Sequence, residues 1–143
     1  MLTRLLYASR ATDPIDDAFL RSVLESSRSH NLEYGITGIL CVYQKGNVFL
    51  QALEGARTAV NALYCNIVRD PRHRDITLLD YSEIEQRLFA GWRMGRAEVG
   101  TVNLSSILRY SEKAVLDPYS MTGRAALALL EELTTSGAIV SHD

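Results

Sequence analysis

A chain of 143 residues lies in the size range of one domain, and at that length about 68–70% of the unfolded surface is buried without help from disulfides or a structural metal. Its 47% hydrophobic and 22% charged residues exclude a disordered chain. A net charge of −2, from 15 basic and 17 acidic residues, supplies no broad phosphate-attracting field and argues against a nucleic-acid partner.

The opening residues Met1-Leu2-Thr3-Arg4 are too polar for a secretory leader, and no apolar run reaches the roughly 18 residues of a membrane span. No membrane association and a cytoplasmic location are therefore expected. Residues 2–9 alternate as a strand, with Thr3, Leu5, Tyr7 and Ser9 on one face and Leu2, Arg4, Leu6 and Ala8 on the other. Thr12-Asp13-Pro14 reads as a helix start, a capping acceptor with Pro at the first helical position. The helix is expected to run to about His30 with Ile15, Phe19, Leu20, Val23 and Leu24 on its apolar stripe, weakened near its end by Ser26, Ser27 and Ser29.

Two β-rich runs follow, residues 35–43 and 48–54, joined at Gln44-Lys45-Gly46-Asn47 as a hairpin. Gly35 and Gly38 mark strand entry or a bulge. Ala56, Ala59, Val60, Leu63, Tyr64 and Ile67 then recur with helical period, so a second amphipathic helix is expected over residues 56–68, ended by Asp70-Pro71. Strands over residues 75–83 and 92–99 complete the first hundred positions, the last placing Trp92 and Met94 on one face. Cys41 and Cys65 form no C-x-x-C pair and read as buried free thiols.

The order β-α-β-β-α-β-β is a ferredoxin-like α+β arrangement with one extra strand and both helices on one sheet face. Leu2, Leu6, Val48 and Leu50 make the other face apolar, so it too needs cover. The tail can supply it: Leu104, Ile107, Leu108, Val115 and Leu116 outline one helix, and Ala126, Leu127, Leu130 and Leu133 a second that stops before Gly137. Residues 1–102 are read as the ligand-binding part and 103–143 as a helical extension of the same globular unit.

Phosphate-loop, dinucleotide, zinc-protease and nucleophile-elbow motifs are missing, and His30, His73 and His142 lack metal-ligand spacing. What stands out is polar residues on the helix-covered face. Gln51 lies between Phe49 and Leu53, and a buried amide without partners costs a few kcal/mol. Taken singly, Gln51 would satisfy Tyr7 within the core. With Asn31 added, the three form a hydrogen-bonding set around a flat ligand. An acyl-phosphate hydrolase, whose phosphate loop could draw only on Arg10 and Asn31, and a cofactor-free regulatory module are the alternatives.

Several segments together resemble the BLUF family of blue-light sensors that use FAD. They are Leu6-Tyr7-Ala8-Ser9; Asn31 ahead of Gly35-Ile36-Thr37-Gly38; Phe49-Leu50-Gln51-Ala52-Leu53-Glu54-Gly55; Asp70-Pro71-Arg72-His73; and Phe89-Ala90-Gly91-Trp92-Arg93-Met94-Gly95. The likeness covers about residues 1–100, and the tail resembles that of short, single-domain members. It implies a non-enzymatic photoreceptor binding FAD, or FMN, without a covalent bond or a metal. Tyr7 would be the photochemical electron and proton donor, and Gln51 would bridge its hydroxyl to the flavin N5 and C4 carbonyl edge. Asn31 would hold the C4 carbonyl and N3 edge. Arg72 and His73, beside Asp70, would lie near the pyrimidine carbonyls and the phosphoribityl side, with Ser9, His30 and Phe49 lining the pocket. Trp92 and Met94 would take part in signalling to an unidentified downstream protein, and a homo-oligomer is expected.

Overall fold

The alternation of β1 (Leu2–Ala11) buries both of its faces and places it inside the sheet, between β3 and β4. We obtained a computed structural model, which describes residues 1–98, 104–135 and 139–141. The chain continues through α1 (Asp17–Tyr34), β2 (Thr37–Tyr43), β3 (Val48–Ala56), α2 (Arg57–Arg69), β4 (His73–Ile84) and β5 (Gly95–Glu98). The tail carries α3 (Leu104–Leu108), α4 (Gly123–Thr135) and β6 (Ile139–Ser141). Strand order is β4-β1-β3-β2-β5-β6. β3 is antiparallel to both β1 and β2, β4 is antiparallel to β1, and β5 runs parallel to β2. This is the ferredoxin-like α+β sheet extended at one edge.

Each face of the sheet carries its own core. On one, Leu20 and Leu24 of α1 and Val60 of α2 pack on Leu5, Tyr7, Leu40, Val42, Phe49 and Leu53. On the other, Ile107, Ala126, Leu129, Leu130 and Leu133 of the tail pack on Leu6, Ile39, Cys41, Leu50, Ala52 and Ala97. Tail cover of the second face is thus present; Leu2, expected there, is only half-buried.

Several elements differ from their sequence expectations. The first helix begins at Asp17, not at Thr12-Asp13-Pro14, and its N-cap is Asp16, whose carboxylate accepts from the Phe19 N–H at 2.8 Å. Residues 12–15 are claimed by other partners. Asn47 donates to the Ala11 and Asp13 carbonyls and accepts from the Ile15 N–H, while Thr12 donates to the Pro71 and Arg72 carbonyls. The helix runs past His30 to Tyr34, where Gly35 closes it in a left-handed conformation (φ 66°), the usual glycine C-cap. Gly38 is needed for close approach, because a Cβ there would collide with the Ala52 carbonyl.

The strand expected over residues 92–99 is shorter. β5 starts at Gly95, Trp92 and Met94 precede it, and Val99 lies outside the described residues. In the tail, α3 spans only Leu104–Leu108; Leu116 is buried without helical structure, and Asp117-Pro118 opens a single 3₁₀ turn. β6, which the sequence reading lacked, pairs antiparallel with β5. The boundary between residues 102 and 103, Gly137 and His142 lie outside the described residues. Cys41 is buried, and burial pushes its thiol up to about 12, but Cys65 is exposed. It lies off the α2 stripe that turns Ala59, Leu63, Tyr64 and Ile67 toward the core.

Candidate functional site

Between α1, α2 and the sheet lies a cavity of about 240 Å³. Tyr7 comes from the middle of β1, and Phe49 and Gln51 from β3 beside it; the register pairs Tyr7 with Gln51 across the two strands. Side chains of one strand alternate between faces, so this pairing sends both toward the helices. The Tyr7 hydroxyl donates to Gln51 Oε1, and Gln51 Nε2 donates to Met94 Sδ at 3.2 Å. All three residues are buried. Burial, then the neighbouring Tyr64, then Asp70, push the Tyr7 hydroxyl well above the ordinary tyrosine range, so it stays protonated. The Tyr64 ring lies 5.8 Å from that of Tyr7, and burial pushes its hydroxyl up as well.

Asn31, near the end of α1, donates from Nδ2 to the Arg93 carbonyl at 2.6 Å. Its Oδ1 and the Nδ1 of His30 are buried without a hydrogen-bond partner, and both residues line the cavity. Orphaned polar atoms of this kind are rare in native interiors unless a ligand or water completes them. Phe19, Leu40, Phe49, Leu63 and Ile67 supply apolar walls around them. Apolar walls with a few unpaired polar atoms along one side suit a flat heteroaromatic ring that presents N–H and C=O groups at its edge, as a flavin does. The residues present therefore fit the group that the sequence resemblance implies.

At the rim, Arg72 donates to both carboxylate oxygens of Asp70, to Oδ2 at 2.6 Å from Nη2 and 2.9 Å from Nε, and to Oδ1 at 3.1 Å from Nε. This pairing holds the Asp70 carboxyl below the usual carboxylate range and pushes the Arg72 guanidinium further up. The His73 Nε2 lies 2.6 Å from the Ile67 carbonyl and its Nδ1 lies 2.9 Å from the Ser9 hydroxyl. A carbonyl only accepts, so a neutral His73 carries its proton on Nε2 and accepts from Ser9 at Nδ1. Among the described residues, no group of three or more His, Cys, Asp or Glu is placed to hold a metal ion, and no helix is long and apolar enough to cross a membrane.

Of the residues expected at the site, Tyr7, His30, Asn31, Phe49, Gln51, Asp70, Arg72, His73 and Met94 line the cavity. Ser9 does not; it sits behind His73 as a hydrogen-bond partner. Trp92 does not either, and the expectation that it shares a face with Met94 is corrected. Met94 belongs to the helix-side core, whereas Trp92 packs against the tail-side core. The two precede β5, so strand alternation does not govern them. The sequence reading missed the apolar wall residues Phe19, Val23, Leu40, Leu63 and Ile67 as lining, and with them Ser26, Ser27 and Asn66. The serines carried the usable signal: small polar residues on a helix that faces a sheet leave room for something else.

A family model described as "BLUF: Sensors of blue-light using FAD" matches residues 2–95. A photoactivated adenylate cyclase subunit beta of Euglena gracilis is 35% identical over 88 residues, which is 62% of this chain and 10% of that protein. This chain thus spans about 10% of the length of that curated relative. Among solved structures, the BlsA photo-activated state superposes with a TM-score of 0.82 at 30% identity, covering 100% of this chain and 99% of that one. The dark-state structure of BlrB, a BLUF protein, gives 0.78 at 30% identity, with 95% and 96% of the two chains covered.

Proposed function

Because the chain belongs to the BLUF family of blue-light sensors that use FAD, we propose that Tyr7 and Gln51 carry its light response, with the flavin held non-covalently in the cavity between α1 and α2. Asn31 and His30 would meet the polar edge of the ring with their unpaired atoms, and Phe19, Phe49, Leu63 and Ile67 would flank it. Asp70, Arg72 and His73, at the rim, would meet the part that extends toward solvent.

When bound, the flavin supplies a light-generated oxidant. Tyr7 is suited to yield an electron because its proton has a place to go: the hydroxyl already points at Gln51 Oε1. Gln51 has two unlike ends, Oε1 on Tyr7 and Nε2 on Met94 Sδ. A half-turn of the amide, or a tautomeric shift, exchanges what each neighbour meets. The Tyr7–Gln51–Met94 chain at the cavity wall is the single observation that carries the reading.

A hydrogen-bond change of this kind is worth a few kcal/mol at most, so it biases an equilibrium that is already poised. That is the behaviour of a sensor rather than of a catalyst, and the chain is read as turning over no substrate and acting on a downstream protein. The test is an absorption spectrum of purified protein before and after blue light. The expected result is a yellow protein with a red shift that reverses in the dark; a colourless protein, or a flavin spectrum that light leaves unmoved, refutes the proposal.

A further inference from the structure

We infer that Arg28 is a positioning residue for the Gln51–Met94 contact and thereby sets how long the light-adapted arrangement lasts; the inference rests on the function proposed above. Arg28 lies on α1, one turn before Asn31 and Leu32. Its Nε and Nη2 both donate to the Met94 carbonyl, at 3.2 and 3.0 Å. The two preceding carbonyls are also held, Arg93 by Asn31 Nδ2 and Trp92 by the Gly38 N–H at 3.1 Å. Three successive carbonyls of a segment outside any strand thus have fixed partners. The Met94 backbone is pinned where its sulfur meets Gln51 Nε2.

Away from the cavity, the side-chain end is confined on its Gly38 side. Met94 is buried, and a Cβ added at Gly38 would lie 3.3 Å from its terminal methyl carbon. When the Gln51 amide turns, Oε1 replaces Nε2 beside the sulfur. Two acceptors then face each other, and either the amide turns back or Met94 withdraws. With two guanidinium donors on its carbonyl, Met94 withdraws only by side-chain rotation, in a space that leaves little room. Arg28 therefore drives the return to the dark arrangement. Its two bonds to the Met94 carbonyl are separate from the Tyr7–Gln51 hydrogen bond, so the photochemical step itself is expected to be unchanged without them.

The test uses the flavin-loaded full chain carrying Arg28→Met, which keeps the apolar stem and removes every donor. The expected result is a red shift of parental size with dark recovery slowed by roughly three- to tenfold, the scale of the net worth of one ordinary hydrogen bond acting on one side of a two-state balance. A merely structural Arg28 would lower the thermal midpoint and leave recovery at the parental rate; that result, or a faster recovery, overturns the inference. Should Arg28→Met fail to fold, Arg28→Gln and Arg28→Lys take its place. Neither sets two donors on one carbonyl as Arg does, so both are expected to slow recovery, and parental times in both overturn the inference. A parent chain without any reversible shift removes the underlying functional reading instead, a failure seen before a variant is made.

Discussion

Gln51→Leu replaces the amide by a side chain of similar size and removes both ends of the bridge. The Tyr7 hydroxyl then loses the acceptor it has in Gln51 Oε1, while Tyr7 itself stays 4% exposed. Leaving a buried hydroxyl unpaired costs about 1–3 kcal/mol. Loss of the Nε2 bond to Met94 adds little, because a thioether is a weak acceptor. Tyr7→Phe is the mirror case, in which Gln51 Oε1 is stranded at a cost of about the same size. The double variant strands neither atom. Its destabilisation should therefore fall short of the sum of the single variants by roughly 1–2 kcal/mol, a coupling typical of residues in direct contact. Urea unfolding of the four proteins measures this, with free flavin held at one saturating concentration because ligand binding adds stability of its own. Both single variants should keep the flavin and lose the red shift. Additivity within about 0.5 kcal/mol, or a parental red shift in either single variant, would refute the reasoning.

Asn31→Ala should weaken flavin affinity by about 1–3 kcal/mol, since a buried polar group loses its partner; titration calorimetry giving parental affinity would remove Asn31 from the ring edge. Glu54 is fully buried and accepts from Arg4 Nε at 2.8 Å and from the Leu88 and Phe89 N–H groups at 3.0 and 2.7 Å. Glu54→Leu should cost about 3–5 kcal/mol because Arg4 is left uncompensated, and Arg4→Met together with Glu54→Leu should recover part of it in the same unfolding assay. The red shift should be insensitive to pH from neutrality past 10.0, the ordinary tyrosine value. The folded chain binds the Tyr7 proton more tightly than the unfolded chain, so the stability linked to it is intact below that value and is lost as pH rises through the higher folded-state value. On the acid side the Asp70 contribution runs the other way: it is intact above 3.8 and is lost as pH falls through the lowered folded-state value. Stability followed across both limbs checks the two signs.

Periodicity made the strand and helix order of the first 84 residues readable, because most of these elements bury one stripe or one face. It failed where a tertiary partner outbid a local signal. Thr12-Asp13-Pro14 has the composition of a helix start, yet Asn47, 34 residues further on from Asp13, holds the Asp13 carbonyl and the Ile15 N–H in a loop. The tail failed differently. Leu116 is buried and so carries an apolar signal, but it packs from an irregular segment after α3, and burial alone does not reveal backbone conformation. At the site, Tyr7, Gln51 and Asn31 were legible because polar residues on an apolar face need a reason. Arg28 was not. Its partner is a backbone carbonyl 66 positions away, and nothing in residue type or spacing marks such a bond.

The misplacement of Trp92 bears most on how a signal could leave the site. On a strand, residues two apart point the same way, and a change at Met94 would then stay on the cavity side. Here the pair precedes β5, with Met94 in one core and Trp92 in the other. Further back the same connection is tied to the tail side of β3, where Glu54 accepts from Leu88 and Phe89 and where the Phe89 side chain joins the tail core. Residues 85–94 therefore cross the layer of the sheet outside its ladder, anchored to both faces by side chains. Strands β1 and β3 are bonded on both sides and resist displacement. A segment held by individual hydrogen bonds is where local opening is least costly. Under the function proposed above, a turn of the Gln51 amide that moves the Met94 side chain would load the segment that also carries Trp92, and Trp92 packs against the core that α3 and α4 cover. That route needs no distortion of the sheet, so a change of a few kcal/mol at Gln51 is large enough to use it.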